Sequence, residues 1–259
     1  MLQAAKSPAE RIRLGRVGWS LLSLGILVVV WELVSLIAAS RYMPGPVEVV
    51  NVMIREARTG ELWTNITATL IRVAFSFVVA MFIGSAIGLA LGRYQGADRF
   101  FDTWLIFFLN LPALVIIVLC YIWFGLTEVA AITAVAINKI PNVAVTMREG
   151  ARNLSKDLDE MAQVYRLGWW KTLRHVTVPQ LSPYFAAAAR SGLALVWKIV
   201  LVVEAFGRSD GVGHQLNIAF QLFDVPMILA YALAFIVVVQ IIEMAIIQPI
   251  MARANRWRR

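Results

Sequence analysis

Residues 68–91 read ATLIRVAFSFVVAMFIGSAIGLAL, with Arg72 as their single charge. A helix rises about 1.5 Å per residue, so this stretch is long enough to cross the ~30 Å hydrocarbon core of a bilayer. A surface helix of a soluble domain would alternate apolar and polar faces instead. Comparable stretches lie at roughly 20–39, 104–123, 127–147, 183–204 and 226–249. The fourth is the least hydrophobic and contains Asn138, Lys139 and Pro141. The pattern predicts an all-α integral membrane protein with six transmembrane helices. The long polar segment 148–182 falls between spans four and five.

Composition agrees. Hydrophobic residues make up 60% of the 259, charged residues only 15%, and the mean hydropathy is +0.72. Six spans and their connections use up a chain of this length. The expected organisation is an N-terminal segment 1–19, one transmembrane domain over 20–250 and a basic tail 251–259. The run after Arg11, Arg13 and Arg16 is long enough to span and has no clear small-x-small cleavage site after it, so it reads as a retained first helix.

The formal charge of +8 would raise the question of nucleic acid in a soluble protein. Here the cations flank apolar spans. Segments 1–19, 92–103, 148–182 and 250–259 carry sixteen Lys and Arg, against four in the segments on the other side. That bias places both termini and the 148–182 segment in the cytoplasm, and it requires an even number of spans. No nucleic-acid partner is expected. With Cys120 the single cysteine, no internal disulfide can form. Two histidines, His175 and His214, are too few for a His-rich metal site, so neither metal nor cofactor is expected.

Small residues mark the helix contacts. Ala80, Gly84, Gly88 and Gly92 recur every fourth residue, and Ala186–Ala189 with Ser191, Gly192 and Ala194 enrich span five. Such stripes let backbones approach closely.

Catalytic signatures are thin: no G-x-x-x-x-G-K-[ST], no G-x-S-x-G, no H-E-x-x-H and no C-x-x-C. The chain is expected not to be an enzyme. The informative segment is Asp157–Pro179, DLDEMAQVYRLGWWKTLRHVTVP. It reads as two short helices with a turn at Leu167-Gly168. Acidic Asp157, Asp159 and Glu160 suit the N-terminus of the first. Met161, Val164, Tyr165 and Gly168 follow an i, i+3, i+4, i+7 rhythm. Trp169, Trp170 and Leu173 give the second an apolar side, and Pro179 is expected to stop it before span five. An amphipathic, aromatic segment of this kind either lies on the membrane surface or docks into a partner's groove.

These residues resemble the signature of membrane subunits of bacterial ATP-binding-cassette importers: Glu-Ala-Ala, three residues, Gly, nine residues, Ile-x-Leu-Pro. Glu160, Ala162, Val176, Val178 and Pro179 match at the correct spacing. Met161 replaces the first Ala, and Arg166 stands where the family has Gly, with Gly168 two residues later, which points to a shifted turn. Further pieces resemble the nitrate, sulfonate and taurine branch. They are Met43-Pro44-Gly45-Pro46, Leu62-Trp63 with Thr69 to Val73, Asn110-Leu111-Pro112 with Trp123-Phe124-Gly125, and Glu204 with Gly211-Val212-Gly213.

The resemblance implies a permease of the bacterial inner membrane. Two copies would form the path, and each would dock a loop helix onto one of two cytoplasmic ATPase subunits. A periplasmic or lipid-anchored binding protein would deliver a small organic or inorganic anion. Docking would fall to Asp159, Glu160, Met161, Ala162, Tyr165, Arg166, Leu167 and Gly168. Asn110, Pro112, Lys198 and Glu204 are the candidates for the translocation path; Asn110 and Pro112 mark either a break in span three whose free carbonyls line a cavity or a packing kink. Charges inside spans usually face protein or water, so the alternative for Lys198 is an ion pair with Glu204 or Glu32. A stand-alone secondary transporter or channel, its 148–182 segment lying on the membrane, is the rival from another class, and an intramembrane enzyme is a poorer third reading.

Overall fold

The computed structural model describes the backbone of residues 8–248 and the side chains of 18–245 and 248. The basic tail 251–259, residue 249 of the sixth stretch and residues 1–7 lie outside the described residues. Every regular element among the described residues is helical. Five helices are long and apolar enough to cross a membrane, and a bent pair makes a sixth span when its two helices are counted as one.

The helices are α1 (Pro8–Ala38), α2 (Pro46–Thr59), α3 (Glu61–Arg93), α4 (Gln95–Asn110), α5 (Ala113–Phe124), α6 (Glu128–Arg152), α7 (Lys156–Val164), α8 (Trp169–Thr172), α9 (Val178–Gly207), α10 (Val212–Gln221) and α11 (Val225–Ile242). The core of the bundle is α3, α6 and α9, packed against one another, with α5 against α6 and α10 and α11 closing the far end. Ile117, Val135, Val200 and Tyr231 lie in its largest buried cluster. α1 stands beside this core. Trp31 Nε1 donates to the Pro44 carbonyl and Ser35 Oγ to the Met43 carbonyl, pinning α1 to the turn before α2.

The glycine stripe sets a close contact between α3 and α6. A Cβ at Gly84 would come within 2.6 Å of Val143 Cβ, and one at Gly88 within 2.6 Å of Met147 Cβ. At Gly92 the obstructing atom is the Ala151 Cβ. In a bilayer such close packing, more than apolar burial, holds helices together.

Three features sharpen or depart from the sequence reading. The third stretch, 104–123, is not one straight helix: α4 and α5 meet at 94° across Leu111-Pro112. Leu111 is extended, as a residue before proline prefers. Asn110 folds its side-chain amide back onto the Ile106 carbonyl. Second, the segments 40–67 and 205–225 hold helices of their own, α2 and α10. Third, Pro179 does not stop a helix. The chain stays helical from Trp169 to Gly207. A π-helical turn over Leu173–Thr177, closed by the Val178 N–H onto the Leu173 carbonyl, leads into α9 with Pro179 in its first turn.

Candidate functional site: the amphipathic connection and the clamp at the opposite end

The connection between the fourth and fifth spans is built around α7. Ser155 caps it, its hydroxyl accepting from the Leu158 N–H, while its own N–H donates to Gln180 Oε1 on α9 at 2.9 Å. The end of α7 closes with the Leu167 N–H on the Ala162 carbonyl and the Arg166 N–H on the Gln163 carbonyl, both 2.9 Å. That pair of bonds is a Schellman cap, which calls for a left-handed residue between them. Arg166 supplies it at φ +48°. The turn therefore sits at the position where the importer signature has Gly; it has not shifted to Gly168, whose φ is −59°.

This geometry divides α7 into two faces. Ala162 is buried against the bundle, and Asp159 lies 3.8 Å from Arg93 at the end of α3. Arg93 also donates to Thr177 Oγ1 at 3.1 Å. Leu167 is half-buried on the same side. Glu160, Met161, Tyr165, Arg166 and Gly168 are exposed. Val164 and Tyr165 are 78% and 74% exposed, and Trp169 and Trp170 extend the surface at 74% and 61%. The apolar rhythm of α7 thus points away from its own bundle. A helix gains nothing from exposing such a stripe to water, and it is the arrangement a groove-docking helix needs.

At the opposite end of the bundle lies a cluster that the sequence showed only in pieces. Glu204, on α9, is fully enclosed at 0% exposure. Its carboxylate accepts from Arg72 Nη1 at 2.7 Å, and from Thr69 Oγ1 and the Gly213 N–H at 2.9 Å. Arg72 also holds Glu128 through Nε and Nη2, at 2.9 and 2.6 Å, and donates to the carbonyl and carboxylate of Asp210. Arg208 donates to Glu128 and to the Leu126 carbonyl, 2.7 Å each. The Gly211 N–H donates to Asn65 Oδ1 and the Val212 N–H to Thr69 Oγ1. Gly211 is required twice over: its φ is +104°, and a Cβ there would lie 2.5 Å from the Glu204 carboxylate. The clamp ties α3, α6, α9 and the turn into α10 into one unit.

Of the residues expected along a path, Glu204 is therefore enclosed and its acceptor capacity is used within the protein. Lys198 pairs with neither Glu204 nor Glu32. It is exposed on α9 and makes no ion pair among the described residues. With Arg190, Trp197, Gln240 of α11 and Glu243 just past its end, it lines a groove of about 300 Å³. Asn110 is exposed and Pro112 starts α5 at the bend. The structure does not bring these two into the groove. Lys139, another cation inside a span, is 1% exposed and lies against Gly192.

Residues 80–257 match the family described as "Binding-protein-dependent transport system inner membrane component". The chain belongs to that family. It is accordingly the multi-pass membrane component of such a transport system, and α7 with its turn falls within the matched region. Among similar proteins is SsuC of Bacillus subtilis (strain 168), described as an aliphatic sulfonates transport permease; it is 25% identical over 98% of this chain and 94% of its own. The bicarbonate transport system permease CmpB of Synechococcus elongatus is 27% identical over 70% of this chain and 68% of its own. Among solved structures, an inward-facing MetNI methionine ABC transporter aligns at a TM-score of 0.59 and 17% identity, covering 76% of this chain and 96% of that one. An amino acid ABC transporter with histidines aligns at 0.55 and 19%, over 78% and 98%. These likenesses extend the family assignment to the fold of the membrane bundle.

Proposed function

We propose that the chain is the permease subunit of an ATP-driven importer for a small organic or inorganic anion, such as a sulfonate, taurine, nitrate or bicarbonate. Two copies pair with two cytoplasmic ATP-binding-cassette ATPase subunits, and a periplasmic or lipid-anchored binding protein delivers the solute. Both termini and α7 lie in the cytoplasm, in keeping with the sixteen-to-four distribution of Lys and Arg. ATP is hydrolysed by the partner subunits.

The observation that carries this reading is the two-faced α7. One face is fixed to the bundle through Ala162, Asp159–Arg93 and Ser155–Gln180. The other offers Glu160, Met161 and Tyr165 outward. A helix held on one side and unpartnered on the other can pass a push from an ATPase cleft into α3 and α9. The anion class is supported by the sulfonate and bicarbonate permeases among the similar proteins and by the groove that holds Arg190 and Lys198. A cation on a membrane-depth surface needs water, protein or an anion beside it, and a path between two copies supplies the first two while the solute supplies the third.

Co-purification tests the assembly. Tagged protein extracted from its native membrane in mild detergent should retain a phosphate-loop ATPase at a one-to-one ratio. Consistent recovery without any ATPase would contradict the proposal and favour a stand-alone transporter.

A further inference from the structure

The basic end of the bundle holds a second feature, of which the coupling reading uses only the Arg93–Asp159 pair. A cavity of about 630 Å³ opens where the ends of α3 and α6 meet the starts of α4 and α7. Its charged lining is Arg93, Asp98, Arg99, Arg152, Lys156 and Asp159, four cations against two carboxylates. Both carboxylates are already engaged. Asp98 accepts from Arg148 at 3.2 Å and from Arg152, while Asp159 faces Arg93. Arg99 and Lys156 make no hydrogen bond or ion pair among the described residues. They come from α4 and α7, so the two free cations face one cavity from two elements.

Depth identifies what can fill it. Arg99 directly precedes Phe100 and Phe101, and Trp104 follows one turn on, all exposed large rings. α4 thus carries its charges, Asp98, Arg99 and Asp102, among Phe100 and Phe101 in its first half and is apolar from Trp104 to Leu109, the order of a helix crossing from the headgroup layer into hydrocarbon. A guanidinium at that height meets lipid phosphates, and basic clefts between spans on the cytoplasmic side take anionic headgroups.

We propose that this cavity binds a phosphate group, supplied by the headgroup of an anionic phospholipid, between Arg99 and Lys156. Bound there, the phosphate bridges α4 to α7 and so braces the docking helix against the spans. The bracing rests on the coupling role proposed for α7; the binding does not.

The test is native mass spectrometry of the detergent-purified permease titrated separately with phosphatidylglycerol, phosphatidylcholine and inorganic phosphate. Wild type should hold phosphatidylglycerol adducts that R99Q/K156Q binds at least tenfold more weakly, as expected for two surface cations each contributing an order of magnitude or somewhat less. R99K/K156R should restore them, and Arg58→Gln, a cation of α2, should change nothing. Equal phosphatidylglycerol binding by wild type and R99Q/K156Q would overturn the proposal, as would phosphatidylcholine binding as tightly as phosphatidylglycerol. Displacement of the lipid by millimolar inorganic phosphate, or phosphate adducts without lipid ones, would overturn the lipid source. The count is taken on the permease whether or not an ATPase is present. Absence of the ATPase contradicts the coupling reading, and absence of the phosphatidylglycerol adduct from wild type contradicts this one.

Discussion

Arg166 occupies a backbone conformation that glycine adopts without penalty and that costs other residues on the order of 1 kcal/mol or more. Replacing it by Gly keeps the cap and removes that strain, at the expense of a more flexible unfolded chain. Arg166→Gly should slow amide hydrogen exchange across α7 by a few-fold, and measuring exchange in detergent checks it; faster exchange would show the arginine side chain to be a stabilising contact. Arg72 poses the opposite case. Without its guanidinium Glu204 stays enclosed with only Thr69 and the Gly213 N–H. Stranding a buried charge in this way costs about 3–5 kcal/mol. Arg72→Ala should sharply lower the thermal stability of the solubilised protein, and adding Glu204→Gln should recover part of the loss. Lysine should not substitute, since one ammonium cannot reproduce the fork that reaches Glu128, Glu204 and Asp210 together. The sequence displayed Thr69, Arg72, Glu204 and Gly211 individually. It did not display their union, because 132 residues separate Arg72 from Glu204 and a charge in an apolar run announces its cost without naming its partner.

Among the elements, the long apolar helices were legible because bilayer thickness imposes a length that composition alone reveals. The α3 glycine stripe was legible for a related reason: four-residue spacing of small side chains has few uses besides close approach. Gly88→Val would drive its side chain into the Ala144 carbonyl and Met147 Cβ on α6. Overpacking of this kind costs about 1–3 kcal/mol, so this variant should melt several degrees below wild type, while Gly96→Ala, at a position with open space around it, should not. The bend between α4 and α5 was half legible. Pro112 marks a break, yet the 94° turn depends on what α5 packs against, which no local pattern states. α2 and α10 were missed. Pro46 at the start of α2 and Gly60 after it are usable signals. The helix is tied in by long-range contacts, however, among them Tyr231 of α11 donating to Glu56 at 3.4 Å. The apolar rhythm on 161–168, the proposed docking face, was legible, though only the structure shows that it turns outward.

Across the whole molecule the two ends do different work. The clamp around Arg72 and Glu204 locks α3, α6, α9 and the entry to α10 at one end. At the other, α7 is held by a few contacts on one face and leaves the opposite face for a partner. A bundle stiff at one end and engaged by a partner at the other can be rocked from the engaged end, which is what coupling to a cytoplasmic ATPase requires. Glu160 carries the sharpest test of that account, since it is exposed on the proposed docking face and makes no hydrogen bond or ion pair among the described residues. Membrane vesicles carrying Glu160→Lys in the complete importer should contain the normal amount of permease yet lose at least nine-tenths of the ATP-dependent uptake of the solute its binding protein captures. Wild-type uptake by that variant would contradict the coupling role of α7.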